Sequence, residues 1–516
     1  MQSNKLPLSV SEVSKESETV TIQAIENEAV TPAQLFRHGL ELSPTGYVQW
    51  QKDCKDHPRN WHLWRKTYDT SLVMFLEFYT TAISTTGPHV RQKNASLGIH
   101  AHDLKSNRYQ VGQGLGGLVI PPCSELFGRR MPYIISCSLF SLSCLLVGVV
   151  PHISAVFVGR FLSGLASAVP SVVISGTVED QFDSEHRVWI VLLWNAAATA
   201  GLAFGPVYAS CISGVASWRW IFYSAAIATA INTSLLLGIR ESRPSKLLRK
   251  KIASLSEESP GAHLKFHSAD PFPDLAAFVD VVFIRPTRMM VTEPILIIVS
   301  ALSAISWGIV YLFSESITRA YLDLGLPRSS ASFPLLALII GVCIGIFPHI
   351  WDIRKIREKK RQNLKIEPED KTMGFAFGTP ALAAGLWWFY GTTPPAMWRA
   401  HWLLPTAGLV LVGLGVNEIA YTLSGYLTDT YTVYSASAFA GLALVRALVS
   451  GIMPLIGYVI FDGSQTRLPG FIIAGIATLF CIVPFIFFKL GKALRYRSQF
   501  AKYSFEVHMR TQLGEP

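Results

Sequence analysis

Charge is scarce in this chain. Asp, Glu, Lys and Arg make up only 16% of its 516 residues, against roughly a quarter in soluble proteins. Most of that charge sits in the tails and a few loops, which excludes an ordinary soluble globule. Enzyme signatures are absent too. There is no G-x-x-x-x-G-K-[ST] phosphate loop, and hence no ATP-driven pump. H-E-x-x-H, a G-x-S-x-G with partners for a triad, and a dinucleotide fingerprint are also missing, so neither catalysis nor a cofactor is expected. Of the seven cysteines, Cys123, Cys137, Cys144, Cys211, Cys343 and Cys481 lie in or beside apolar runs, and Cys54 lies in the N-terminal tail. None makes a C-x-x-C or a Cys/His cluster, which argues against a metal site and a disulfide scaffold. The first 66 residues contain no short basic-then-apolar leader, so the first apolar run should act as an uncleaved insertion signal.

Apolar residues, by contrast, are plentiful: half the chain is apolar and its mean hydropathy is +0.34. Crossing a bilayer takes about 20 such residues. Runs near that length recur at about 67–89, 108–127, 132–150, 154–177, 187–211, 218–238, 292–316, 330–350, 374–392, 401–425, 434–460 and 468–489. The second is the weakest, being rich in glycine and containing Pro121 and Pro122. The fold class expected is all-α: a polytopic membrane protein of twelve spans. The net charge of +10 does not indicate nucleic acid, because the basic residues cluster beside apolar spans, as the positive-inside rule requires. Lys and Arg concentrate in 239–291, in 351–373 and beyond 489, which puts both termini and the central loop in the cytosol. The expected divisions are a largely disordered tail (1–66), a six-helix half (67–238), a central loop (239–291), a second six-helix half (292–489) and a C-terminal tail (490–516). Six spans, a long loop and six more make the layout of a duplicated transporter. Asn94, in an Asn-Ala-Ser sequon in the 90–107 loop, is a glycosylation candidate on the outer side.

Two stretches carry structural chemistry. In WNAAATAGLAFGPVYASCISGVASWRWIFY, 194–223, Ala197, Gly201, Gly205 and Ala209 recur every fourth residue. That spacing stacks small side chains on one helix face, where a neighbour can approach closely. Pro206 removes one backbone donor and should bend the helix; in a membrane a neighbouring helix can re-satisfy the freed carbonyl. The second stretch is PPCSELFGRR, 121–130. Here Gly128 allows a sharp turn, Arg129 and Arg130 sit at the phosphate level, and Glu125 is spaced to pair with Arg129. Ser124, Glu125, Gly128, Arg129 and Arg130 read as a structured cytosolic gate.

PPCSELFGRR resembles the loop signature of the major facilitator superfamily, in the form carried by fungal twelve-span drug:proton antiporters. The resemblance runs through most of residues 57–505. GRFLSGLASAVPS, 159–171, resembles the fourth-span signature and GTVEDQFDSEHR, 176–187, the segment that ends that span. The 201–206 stretch resembles the fifth-span antiporter signature, carried here by Gly201, Gly205 and Pro206. The resemblance implies two six-helix bundles that rock about a mid-membrane cavity. It gives Arg160 a role in proton coupling and makes Asp180 the acidic partner at the gate.

Charges inside apolar spans are costly and usually face a cavity or a partner. Glu77, Arg160, Glu315, Glu418 and Arg446 are the candidates for proton coupling or substrate contact. Glu77 lies near the middle of the first span, where desolvation favours the protonated carboxyl that a proton carrier needs. Glu418 and Arg446 lie on the tenth and eleventh spans and would neutralise each other if paired. Phe78, Trp307 and Tyr311 fall on the two spans that, by the resemblance, open each half and line the cavity. Aromatics with one or two carboxyls suit amphipathic or weakly basic organic molecules. The expectation is an exporter of a lipophilic small molecule in exchange for protons, acting as a monomer in the plasma membrane, with the vacuolar membrane as the other location. A proton-coupled nutrient importer is the competing reading, and a non-transporting sensor a remote one.

Overall fold

The computed structural model describes residues 32–42, 48–86, 107–258, 275–362, 364, 367–394, 396–397, 399–431, 434–463 and 468–504. In chain order the elements begin with α1 (Pro32–Arg37), β1 (Leu40–Leu42), β2 (Val48–Trp50), α2 (Leu63–Ser84), α3 (Asn107–Phe127), α4 (Arg130–Val149) and α5 (Ile153–Gln181). Next come α6 (Ser184–Val215), α7 (Arg219–Leu236), α8 (Pro244–Glu258), α9 (Leu275–Val279), α10 (Arg285–Thr292) and α11 (Pro294–Asp323). The last are α12 (Ala337–Ile344), α13 (Ile346–Arg361), α14 (Met373–Thr392), α15 (Leu403–Thr430), α16 (Ser435–Gly463), α17 (Leu468–Phe480) and α18 (Val483–Arg497).

Among the described residues, helices α2–α7 and α11–α18 form twelve rods, with α12–α13 one interrupted rod and α17–α18 another. Eight rods are long and apolar enough to cross a membrane. The other four are α2, α3, α7 and α14. In α2 the hydropathy is diluted by a buried polar stripe of Asp69, Thr70, Glu77, Thr80, Thr81 and Ser84. Helix α3 continues through Pro121 and Pro122. In the first half, α3 packs on α5, α2 on α6, and α4 on both α5 and α7. In the second half α14 lies along α15, α11 along α16, and α12 along α15. The halves meet along α3 with α16 and along α6 with α12.

Glycines set these approaches. A Cβ at Gly201 or Gly205 would run into the Phe78 or Ala82 carbonyl of α2, so the small-residue face of α6 is pressed against α2. The proline in α6 is accommodated within a continuous helix. Pro206 cannot donate to the Leu202 carbonyl four residues back, and the Thr85 hydroxyl donates to that carbonyl instead, at 3.4 Å.

The tail differs from expectation. Its described part folds with α8, which comes from the central loop, into a separate small unit. Strands β1 and β2 pair antiparallel. Leu35, Leu40 and Val48 share a buried cluster with Leu248, Ile252 and Leu255 of α8. The Trp50 indole donates to the Pro244 carbonyl at 3.3 Å, and Lys251 pairs with Asp56 at 2.5 Å. The apolar residues of 32–50 are too few to form a core alone, and an amphipathic helix nearly two hundred residues later supplies the other half. The tail's last residues, from Leu63, already belong to α2.

Candidate functional site

A buried carboxyl sits where the two halves face each other. Glu77 of α2 is 3% exposed, and its Oε2 has no hydrogen-bond partner. Arg446 of α16 interacts with it and with Tyr311 through their charges, and its guanidinium stands 5.0 Å from the Trp307 ring centroid. Tyr311 and Ser84 share a hydrogen bond of 2.8 Å that ties α11 to α2. Gln110 of α3 is buried beside Tyr311. Four helices from both halves therefore bring a carboxyl, a guanidinium, two aromatic rings and an amide together. A buried acid with one oxygen left unsatisfied can hold a proton or accept one from a ligand amine, and Trp307 already hosts one cation over its face. Trp307, Tyr311, Glu77 and Arg446 are thus neighbours in one buried cluster. Phe78 instead turns toward α6, with its ring centroid 5.5 Å from that of Phe204.

The 121–130 turn is built as a clamp on Arg129. Gly128 adopts φ +80°, the left-handed region that glycine enters without strain, and a Cβ there would collide with the Glu241 carboxylate. Glu241 accepts from the Arg129 backbone N–H at 2.7 Å. The guanidinium donates from Nε to Asp180 at 3.2 Å and from Nη1 to Ser124 at 2.8 Å. Burial opposes the charge of Arg129, but Asp180 and Glu125 beside it hold its pKa above the usual arginine value. Arg130 donates to the Leu237 carbonyl at 2.8 Å. Glu241, which completes the clamp, escaped the sequence reading because it lies 112 positions away from Arg129.

At the same basic end, charged pairs bridge the halves. Arg357 of α13 reaches Glu185 of α6 at 2.5 Å, and Arg187 of α6 reaches Asp429 of α15 at 3.6 Å; within the second half, Lys371 also reaches Asp429 at 2.6 Å. A cavity of about 150 Å³ opens beside the clamp, lined by Pro121, Ser124, Glu125, Val172, Thr428 and Phe439 among others.

Arg160 of α5 is buried away from Glu77. It donates to the Ile83 carbonyl at 2.8 Å and stands 5.5 Å from the Tyr109 ring centroid, anchoring the end of α2. Glu418 is not paired with Arg446. Its partner is His349 of α13, with Nε2 at 3.1 Å from Oε2, and the other ring nitrogen lies 3.6 Å from Asp352. The spacing His349-x-x-Asp352 puts both on one helix face and was the available signal for this cluster. Glu315 lies on α11, but its side chain, like all of Asn94, is outside the described residues.

Two helical halves closing on buried charges define a polytopic membrane transporter. The family model described as Major Facilitator Superfamily matches residues 72–416, and the chain belongs to that superfamily. It is similar to the "Major facilitator superfamily multidrug transporter FLU1" of Candida albicans, 26% identical over 467 residues that cover 87% of this chain and 75% of that one. It is also similar to the "MFS-type transporter penM" of Penicillium rubens, 28% identical over 485 residues that cover 91% and 94%. Among solved structures, the proton:xylose symporter XylE bound to 6-bromo-6-deoxy-D-glucose shares the fold. The TM-score is 0.60 at 15% identity, covering 84% of this chain and 97% of that one.

Proposed function

We propose that this transporter exports a lipophilic or amphipathic small molecule in exchange for protons, from a plasma membrane with both termini in the cytosol. The observation that carries the reading is the Glu77 carboxyl, buried between the halves beside Arg446 and two aromatic rings with an oxygen that no hydrogen bond satisfies. The halves rock about this site and expose it to each side in turn. Glu77 takes up a proton when it faces outward and releases it inward as the substrate arrives, with Trp307 and Tyr311 offering apolar faces to the cargo. The clamp at Ser124–Arg130 with Asp180 latches the cytosolic end. That one similar protein is named as a multidrug transporter favours the outward direction, and the basic residues at the clamp end favour a cytosolic placement.

The test is transport in everted vesicles energised by a proton gradient, with a panel of lipophilic fluorescent amines as probes. Glu77→Gln should abolish gradient-driven accumulation while leaving downhill exchange measurable. Intact gradient-driven accumulation by Glu77→Gln would overturn the assignment.

A further inference from the structure

The cluster of His349, Asp352 and Glu418 lies outside the site between the halves, and the transport cycle described above makes no use of it. All three side chains are wholly inaccessible. Both imidazole nitrogens point at carboxylates: Nε2 lies 3.2 Å from one Glu418 oxygen and 3.1 Å from the other, and Nδ1 lies 3.6 Å from Asp352. Both Asp352 oxygens lack a hydrogen-bond partner.

Among the described residues, the surroundings supply no balancing cation. From α15, Tyr421 meets the imidazole edge-on, with centroids 4.0 Å apart and the rings inclined by 64°, and Asn417 flanks Glu418. Helix α14 presents Gly374 and Gly378, and the junction of α12 and α13 presents Gly345. Helix α6 presents Val188 and Leu192, which pack with Ile353, Ile356 and Tyr421. The further charges of Arg187 and Asp429 act on Tyr421. With the imidazole doubly protonated and both acids ionised, the pocket would hold one net negative charge. Such a charge is unfavourable where water does not reach, and one more proton on a carboxylate neutralises it.

The backbone is shaped around this group. A Cβ at Gly345 or Gly374 would collide with the Glu418 carboxylate, and one at Gly378 would lie 2.6 Å from the Glu418 Cβ. Gly345 is also where α12 gives way to α13. Arg357 follows His349 by eight residues, roughly 12 Å along the axis, and makes the bridge to Glu185.

We propose that His349, Asp352 and Glu418 form a second proton-binding site, inside the second half, whose occupancy sets how α13 is seated and so how firmly its basic end is bridged to α6. A proton arriving on a carboxylate oxygen removes the buried negative charge and lets the helices close around Gly345. Its loss restores that charge and loosens the seat of α13. The proposal rests on the transporter reading only for its purpose, since the readout needs no substrate.

The experiment uses the full chain in lipid nanodiscs, with its native cysteines replaced and spin labels placed through Asp183→Cys and Glu358→Cys, both exposed positions. The interlabel distance is followed from about pH 5 to pH 9, with infrared difference spectra recording the protonated-carboxyl stretch. The expected result is a pH-dependent distance that Glu77→Gln retains and that both Glu418→Gln and His349→Gln flatten, together with loss of a carboxyl band in Glu418→Gln. If Glu418→Gln does not fold, His349→Gln decides by the same criterion. A distance that ignores pH in the parent chain, or one that titrates unchanged in these variants, overturns the proposal.

Discussion

Gly205→Ala is a sharp test of how α6 is seated. A single methyl at Gly205 points at the Ala82 carbonyl and the Thr85 hydroxyl of α2, well inside contact distance. The carbonyl belongs to helix backbone and cannot swing aside, so α2 and α6 must separate by about 1 Å to restore ordinary contact. Overpacking of this kind costs typically 1–3 kcal/mol. Alanine returns up to about 1 kcal/mol through better helix propensity. The separation also lengthens the Thr85–Leu202 hydrogen bond, now 3.4 Å, which serves the carbonyl that Pro206 leaves open. The net expectation is a loss of about 1 kcal/mol and slowed transport. Gly214 lies in the same helix, where a methyl would meet nothing within 4 Å, so Gly214→Ala should be neutral or stabilising by up to about 1 kcal/mol. Thermal midpoints followed by tryptophan fluorescence, with dye efflux in parallel, separate the two. Equal stability of the two variants, with full efflux in both, would refute the seating of α6 on α2.

Two further outcomes are expected. Gly128→Ala forces a side chain into the left-handed region, at roughly 1–2 kcal/mol, and into the Glu241 carboxylate. It should lower the thermal midpoint and impair transport together, and wild-type behaviour in both would contradict the clamp. Asp370 lies outside the spans; burial pushes its pKa up, but Lys359, the Glu367 N–H and Lys355 outweigh this and hold it below the ordinary value. A carboxyl with a lowered folded-state pKa contributes stability above its unfolded pKa and loses it as the pH falls through the folded one. The gap in thermal midpoint between the wild type and Asp370→Asn should therefore be widest at neutral pH and close below about pH 4. A gap independent of pH would count against the pairing.

Much of the architecture was legible because a bilayer imposes a one-dimensional rule. The length and hydropathy of each run decide whether it crosses, and that rule located the rods even where glycine and proline blurred α3. Local spacing was also enough to flag the turn at 121–130, the small-residue face through Gly201 and Gly205, and Glu77 as an acid in an apolar run. Spacing could not show partners. Glu418 and Arg446 looked like a pair because adjacent spans carry them, yet Arg446 goes to Trp307 and Glu77 while Glu418 goes to His349. Glu241 closes the clamp from 112 positions away, and α8 completes a core begun at Leu35.

Composition and periodicity by themselves determined that this chain crosses a membrane many times and which few charges lie within its apolar runs. Only the tertiary structure decided which charges meet. The cost of burying a polar group acts on each residue alone and leaves a mark in the sequence. Its compensation depends on which helix faces lie within a few ångströms of each other, and that is settled by packing between segments hundreds of residues apart.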